Sequence, residues 1–103
     1  MLVKDFDLVK DIFSVIDCGI VEGYDSFRVE ARVGDAYVDI ELVVERGGVE
    51  VSNAETNFDD SVLYDLIMKL KESFALRGEC WISFVMSYEH GGQVKTNFKY
   101  SDE

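Results

Sequence analysis

The stretch that decides the fold is FRVEARVGDAYVDIELVVERGGVEV, residues 27–51. Phe27, Val29, Ala31 and Val33 alternate with Arg28, Glu30 and Arg32. Beyond Gly34-Asp35, Val38, Ile40, Leu42 and Val44 alternate with Tyr37, Asp39, Glu41 and Glu45. A period of two with one apolar set is the signature of strands half-buried on one face. A two-residue Gly34-Asp35 loop predicts a tight hairpin in which Ala31 pairs with Val38, Val29 with Ile40 and Phe27 with Leu42. Gly47-Gly48 predicts a second hairpin, with Val44 opposite Val51 and Glu45 opposite Glu50. The three strands form an antiparallel meander.

Helical periodicity flanks the meander. From Leu2 to Cys18, Phe6, Val9, Ile12, Phe13 and Ile16 are spaced by three and four, with Asp5, Lys10, Asp11 and Asp17 off that stripe and Gly19 as a stop. From Asn57 to Glu79, Leu63, Leu66, Ile67, Leu70 and Phe74 form a second stripe. Asn57 is the expected cap, Asp59 and Asp60 suit the positive first turn, and Arg77-Gly78 marks the end. The chain closes with a hairpin. Ile82, Phe84, Met86 and Tyr88 alternate along one strand, Val94, Thr96, Phe98 and Tyr100 along the other. A loop at His90-Gly91-Gly92 sets Phe84 opposite Phe98 and keeps apolar residues together.

The order α-β-β-β-α-β-β predicts an α+β two-layer sandwich: a five-stranded antiparallel sheet with two helices on one face and the other face open. The 103 residues suit a single domain, 1–103. Its core is expected at Phe13, Ile16, Val29, Ile40, Leu42, Leu66, Ile67, Leu70, Phe84 and Phe98. The sequence holds no proline, which excludes proline-rich recognition segments. No run reaches the length of a membrane-spanning helix, and residues 1–10 lack the apolar stretch of a signal peptide, so a cytoplasmic location is expected. Cys18 and Cys80 form no CxxC pair and are expected as buried free thiols.

Little of the sequence is suited to catalysis. The one histidine, His90, falls in a turn, about ten residues along an extended strand from Cys80 and out of its reach. Phosphate-binding loops, nucleophile elbows, zinc signatures and EF-hand loops are missing. No catalytic residue, metal site or cofactor is expected, and the protein is read as a binder rather than an enzyme.

Charge is more informative. The formal net charge is −11 and the pI about 4.3, which disfavours direct contact with nucleic acid or an anionic membrane. Residues 20–57 hold nine acidic and three basic residues. The register above places Glu30, Asp39, Glu41, Glu45 and Glu50 on the open face, with Glu30 facing Asp39 and Glu45 facing Glu50. Like charges opposite one another destabilise a ladder. Tyr37, Val43, Trp81 and Val85 share that face by parity. A partner-binding surface of Tyr37, Asp39, Glu41, Glu45, Glu50 and Trp81 is therefore expected, with the acidic cluster Asp59, Asp60 and Asp65 on the second helix as its rival.

The stretches Gly78-Glu79-Cys80-Trp81-Ile82-Ser83-Phe84 and Gly92-Gln93-Val94-Lys95-Thr96-Asn97-Phe98-Lys99-Tyr100-Ser101-Asp102 resemble the closing hairpin of YezG-like immunity proteins. The resemblance covers roughly residues 57–103. In that family a basic residue usually follows the turn glycine, where this chain has Gln93. The resemblance implies a small acidic bacterial antidote, monomeric when free, that binds a cognate basic toxin domain, often a nuclease. An acidic surface can occupy the cationic cleft that a nuclease offers its substrate. Type III secretion chaperones share the size, the acidity and this order of elements. They act as homodimers that hold an effector segment, and add a third helix that is not expected before Glu103.

Overall fold

The computed structural model describes residues 3–34 and 37–100. Helix α1 (Val3–Gly19) leads into strands β1 (Ser26–Val33), β2 (Val38–Arg46) and β3 (Val49–Val51). Helix α2 (Asp60–Ala75) follows, then β4 (Ser83–Glu89) and β5 (Lys95–Lys99). The strands form one antiparallel sheet in the order β3-β2-β1-β4-β5. This is the α+β architecture the alternation predicts. Among the described residues, no helix is long and apolar enough to cross a membrane.

One face of the sheet carries the core. Phe27, Val29, Ala31 and Val33 from β1, Val44 from β2, and Phe84 and Met86 from β4 are buried with Ile12 and Ile16 of α1 and Leu63, Ile67, Leu70 and Phe74 of α2. Of the expected core, Ile16, Val29, Ile67, Leu70 and Phe84 are fully buried, while Phe13, Ile40, Leu42, Leu66 and Phe98 are half-buried against them.

The first hairpin is shifted by two residues from the expected register. Ala31 pairs with Ile40, Val29 with Leu42 and Phe27 with Val44, and Val33 pairs with Val38. The Gly34 amide donates to the Tyr37 carbonyl at 3.0 Å, so Gly34 joins the ladder opposite Tyr37 and the turn is displaced by one position from the expected Gly34-Asp35. A Cβ at Gly34 would collide with the Tyr37 ring, which is why the tyrosine can fold over this position. Asp35, half of the expected loop, lies outside the described residues. A shift of two preserves side-chain parity, so the apolar pattern could not separate the two registers. The β2–β3 register, with Glu45 opposite Glu50, and the β4–β5 register, with Phe84 opposite Phe98, are as expected.

Helix α1 is rotated from its expected stripe. Phe6 is 56 % exposed and Asp5 is fully buried. The Asp5 carboxylate meets the Arg77 guanidinium at 2.8 Å and accepts from the Ser73 hydroxyl at 2.5 Å. Arg77 also donates to the Ser73 carbonyl at 3.0 Å and lies 4.7 Å from the centre of the Phe74 ring. Asp59, not Asn57, caps α2, its carboxylate accepting from the Ser61 amide at 2.8 Å. The helix ends at Ala75, and in the turn that follows Gly78, with φ of +80°, lets the Glu79 amide reach back to the Phe74 carbonyl. Cys18 and Cys80 are free, as expected, but exposed rather than buried.

Tyr24, only 8 % exposed, donates its hydroxyl to Asp17 and thereby joins the chain after α1 back to the helix. Burial, and then the Asp17 carboxylate, push its pKa well above the ordinary tyrosine value.

Two predictions follow from these buried polar groups. Arg77→Met should remove the guanidinium that faces the buried Asp5 carboxylate and cost about 3–5 kcal/mol in urea unfolding, and adding Asp5→Leu should recover most of that loss. Tyr24 holds its proton more tightly in the folded state than in the unfolded one. Its stabilisation is therefore complete below pH about 10 and is lost as pH rises beyond it. The gap in unfolding free energy between wild type and Tyr24→Phe should accordingly be flat up to that pH and narrow above it.

Candidate functional site: the open face of the sheet

The face turned away from the helices is built from the alternate residues of each strand, and the registers arrange them in rows across the sheet. One row is Lys99, Ser83, Arg32, Asp39. The next is Asn97, Val85, Glu30, Glu41, and the third Lys95, Ser87, Arg28, Val43. The last row is Glu89, Ser26, Glu45, Glu50.

The two ends of this face differ electrostatically. At the Tyr37 end, Arg32 contacts Asp39 at 2.7 Å, Glu41 at 3.1 Å and Glu30 at 3.5 Å. Coulombic attraction to Glu30, then the bond to Glu41, raise the pKa of this guanidinium. The expected Glu30–Asp39 opposition is therefore corrected: Glu30 faces Glu41, and Asp39 faces Arg32. The shift exchanges the Glu30–Asp39 opposition for one between Glu30 and Glu41, and Arg32, which now faces Asp39, contacts all three carboxylates.

The other end has no such bridge. Glu45 and Glu50 oppose each other on β2 and β3, and Glu89 lies in the same row beyond Ser26. None of the three makes an ion pair among the described residues, and all three are exposed. They line an open groove of about 460 Å³ whose walls also include Arg28, Val43 and Lys95. Two strand spacings separate Glu89 from Glu45, about 10 Å. The carboxylates thus spread along a row instead of converging. Among the described residues, no three His, Cys, Asp or Glu side chains are grouped so as to hold a metal ion.

Of the expected surface, Asp39 and Glu41 gather around Arg32, and Tyr37, 62 % exposed, lines the shallow groove beside them. Glu45 and Glu50 meet at the opposite end. Trp81 does not belong to the face. It is fully buried, with its ring centre 5.4 Å from that of Phe84 and 5.5 Å from that of Phe98. Strand β4 begins only at Ser83, so counting parity back to position 81 fails. Lys71 of α2 caps this cluster, 5.7 Å from the indole centre, and donates to the Val33 carbonyl. Glu89 is the residue that sequence reasoning missed. Its place in the acidic row depends on the pairing of β1 with β4, across the whole of α2, and no local pattern encodes that pairing.

His90 is exposed in the turn after β4, its ring stacked on Tyr24 with centres 4.5 Å apart. In the rival cluster on α2, Asp59 is engaged as the helix cap and Asp65 pairs with Lys69 at 3.0 Å.

No protein-family model matches the sequence, and no curated protein matches it.

The asymmetry of the face gives a direct expectation for the free protein. Glu45→Lys converts the repulsive pair with Glu50 into an attractive one and should raise stability by about 0.5 kcal/mol. Glu41→Lys sets a lysine opposite Glu30 but also beside Arg32, which loses a partner, so its melting temperature should fall below that of Glu45→Lys. Thermal unfolding of the two variants at low salt tests the contrast.

Proposed function

We propose that this protein is an immunity protein, of the YezG-like kind its closing hairpin resembles, that neutralises a cognate basic toxin domain in the cytoplasm. A nuclease is the toxin class that suits it best, because a nuclease must present a cationic cleft to its polyanionic substrate. The observation that carries this reading is the row Glu89, Glu45, Glu50 along an open groove, three exposed carboxylates without an ion-pair partner among the described residues. A cationic partner supplies the charge this row lacks. The net charge of −11 favours steered encounter with the same partner. Val43 supplies apolar surface within the groove. The protein acts by binding and not by catalysis in this reading, and is monomeric until it meets the toxin.

In this reading the reading frame immediately upstream should encode a toxin domain, and that domain provides the test. Co-expression should restore growth, and the two purified proteins should co-elute. Persistent growth arrest with no co-elution would refute it. Association should slow as ionic strength rises past ~0.15 M, where the Debye length is about 8 Å. Glu45→Lys with Glu50→Lys should weaken binding at least about tenfold. Reversing Asp60 and Asp65 should leave affinity unchanged, and the opposite ranking would move the interface to α2.

A further inference from the structure

We infer that the outer edge of β2, from Val38 to Val43, is a docking site for an added strand that alternates cationic and apolar residues. Strand β3 pairs only with Val44, Glu45 and Arg46. From Val38 to Val43, β2 has β1 on one side and no strand on the other.

The direction of the free backbone groups follows from the turns. A two-residue turn at Gly47-Gly48 makes Arg46 and Val49 the hydrogen-bonded closing pair. Even-numbered residues of β2 then point their amide and carbonyl toward β3, and odd-numbered ones toward β1. The Gly34-to-Tyr37 amide–carbonyl bond fits the same alternation at the other end of the hairpin. Val38, Ile40 and Leu42 therefore direct their N–H and C=O groups off the sheet, and the loop and turn hydrogen bonds include none to them.

Burial marks the same gap. Val44, which β3 covers, is 0 % exposed. Val38, Ile40 and Leu42 are only half-buried, although their β1 partners Val33, Ala31 and Val29 are fully buried. Native sheets protect such edges with lysine, proline or a bulge. The opposite edge strand, β5, carries Lys95 and Lys99, whereas the free part of β2 has neither lysine nor proline.

The occupant is set by what borders the gap. On the helix side it must extend the apolar surface of Val38, Ile40 and Leu42. On the open face it lies beside Asp39 and Glu41, which with Glu30 share the single Arg32 and retain excess negative charge. A strand of alternating apolar and basic residues satisfies both. A second copy of this chain does not: antiparallel pairing centred on Ile40 would set Asp39 of each copy opposite Glu41 of the other, a repulsive arrangement. Main-chain bonds would supply affinity and the alternating side chains specificity. The charge chosen for the strand rests on the toxin-binding reading, while the strand addition does not.

The probe is a short synthetic peptide alternating lysine and valine, added to the full chain, with amide hydrogen exchange read residue by residue. Saturating peptide should slow exchange at Val38, Ile40 and Leu42 by at least about tenfold. Asp39 and Glu41 amides, already bonded to β1, should change little. Ile40→Pro removes an outward N–H that the β1–β2 ladder does not use, and should abolish binding. Should that variant unfold, the same peptide N-methylated on its pairing amides tests the contact against the wild-type protein and should fail to bind. A glutamate–valine peptide should also fail. The inference is overturned if the lysine–valine peptide does not bind, if it binds without protecting these three amides, if the N-methylated peptide binds equally well, or if the protein protects these amides by self-association. Because no toxin is present, this outcome is separate from the rescue experiment. Peptide addition without rescue would defeat only the toxin reading, and rescue without protection at β2 only the strand addition.

Discussion

A buried carboxylate fixes the arrangement of the two helices. Asp5 has no exposed surface, so its charge must be met inside the protein, and Arg77 and Ser73 meet it from the far end of α2, 68 residues along the chain in the case of Ser73. Arg77 links several parts at once. It caps a carbonyl in the last turn of α2, pairs with Asp5, and stacks on Phe74. Phe74 in turn packs against Phe98 and Trp81, the cluster that seats the closing hairpin. Such a pair adds little net stability relative to apolar packing of the same volume. Its effect is discrimination. Sliding α1 by one turn along α2 would strand the charge, an error far costlier than exposing another hydrophobic residue.

The same interaction explains what could not be read in α1. Helical spacing of Phe6, Val9, Ile12, Phe13 and Ile16 located the helix but not its exact rotation. A polar residue can occupy the buried stripe only if a distant partner exists, and neither Arg77 nor Ser73 signals itself to residue 5. The sheet was more legible, because alternation is local and parity fixes which residues face the helices. Register was legible only up to shifts of two. The β2–β3 turn resolved that ambiguity, since Gly47 and Gly48, at φ of +62° and +81°, leave one turn geometry. The β1–β2 turn did not, because Gly34, backed by the Tyr37 ring, bonds across to Tyr37 instead of sitting inside the turn. Trp81 escapes the parity of β4 for a related reason: it lies two residues before the strand begins.

These limits bear on the candidate functional surface. Parity put the right residues of β1, β2 and β3 on the open face, but opposition between individual charges depends on register. Two residues of slip turn a supposed Glu30–Asp39 clash into an Arg32–Asp39 contact. The uncompensated charge consequently lies at the Glu45–Glu50 end, where Glu89 joins it across the β1–β4 pairing. Net charge alone would have spread the site over the whole meander.

Layering connects the core to the open face. Both helices lie on one side of a sheet whose apolar residues alternate, so every strand presents its polar set to the other side. That arrangement leaves a broad face with no obligation to pack. Its composition is then free to serve recognition, provided that its charges are tolerated in the free protein. Arg32 shows how tolerance is achieved at one end: a single guanidinium holds three carboxylates close together. At the other end no cation occupies the row, and the carboxylates remain solvated and separated by strand spacings. The same sheet also stops short at β3, leaving β2 half covered. A partner that meets the acidic row can thus approach along β2, where charge and free backbone groups are presented by the same strand. The short β3 is therefore the point at which the economy of a small core and the demands of recognition coincide: three residues suffice to bury Val44, and everything before Val44 on that edge is left available.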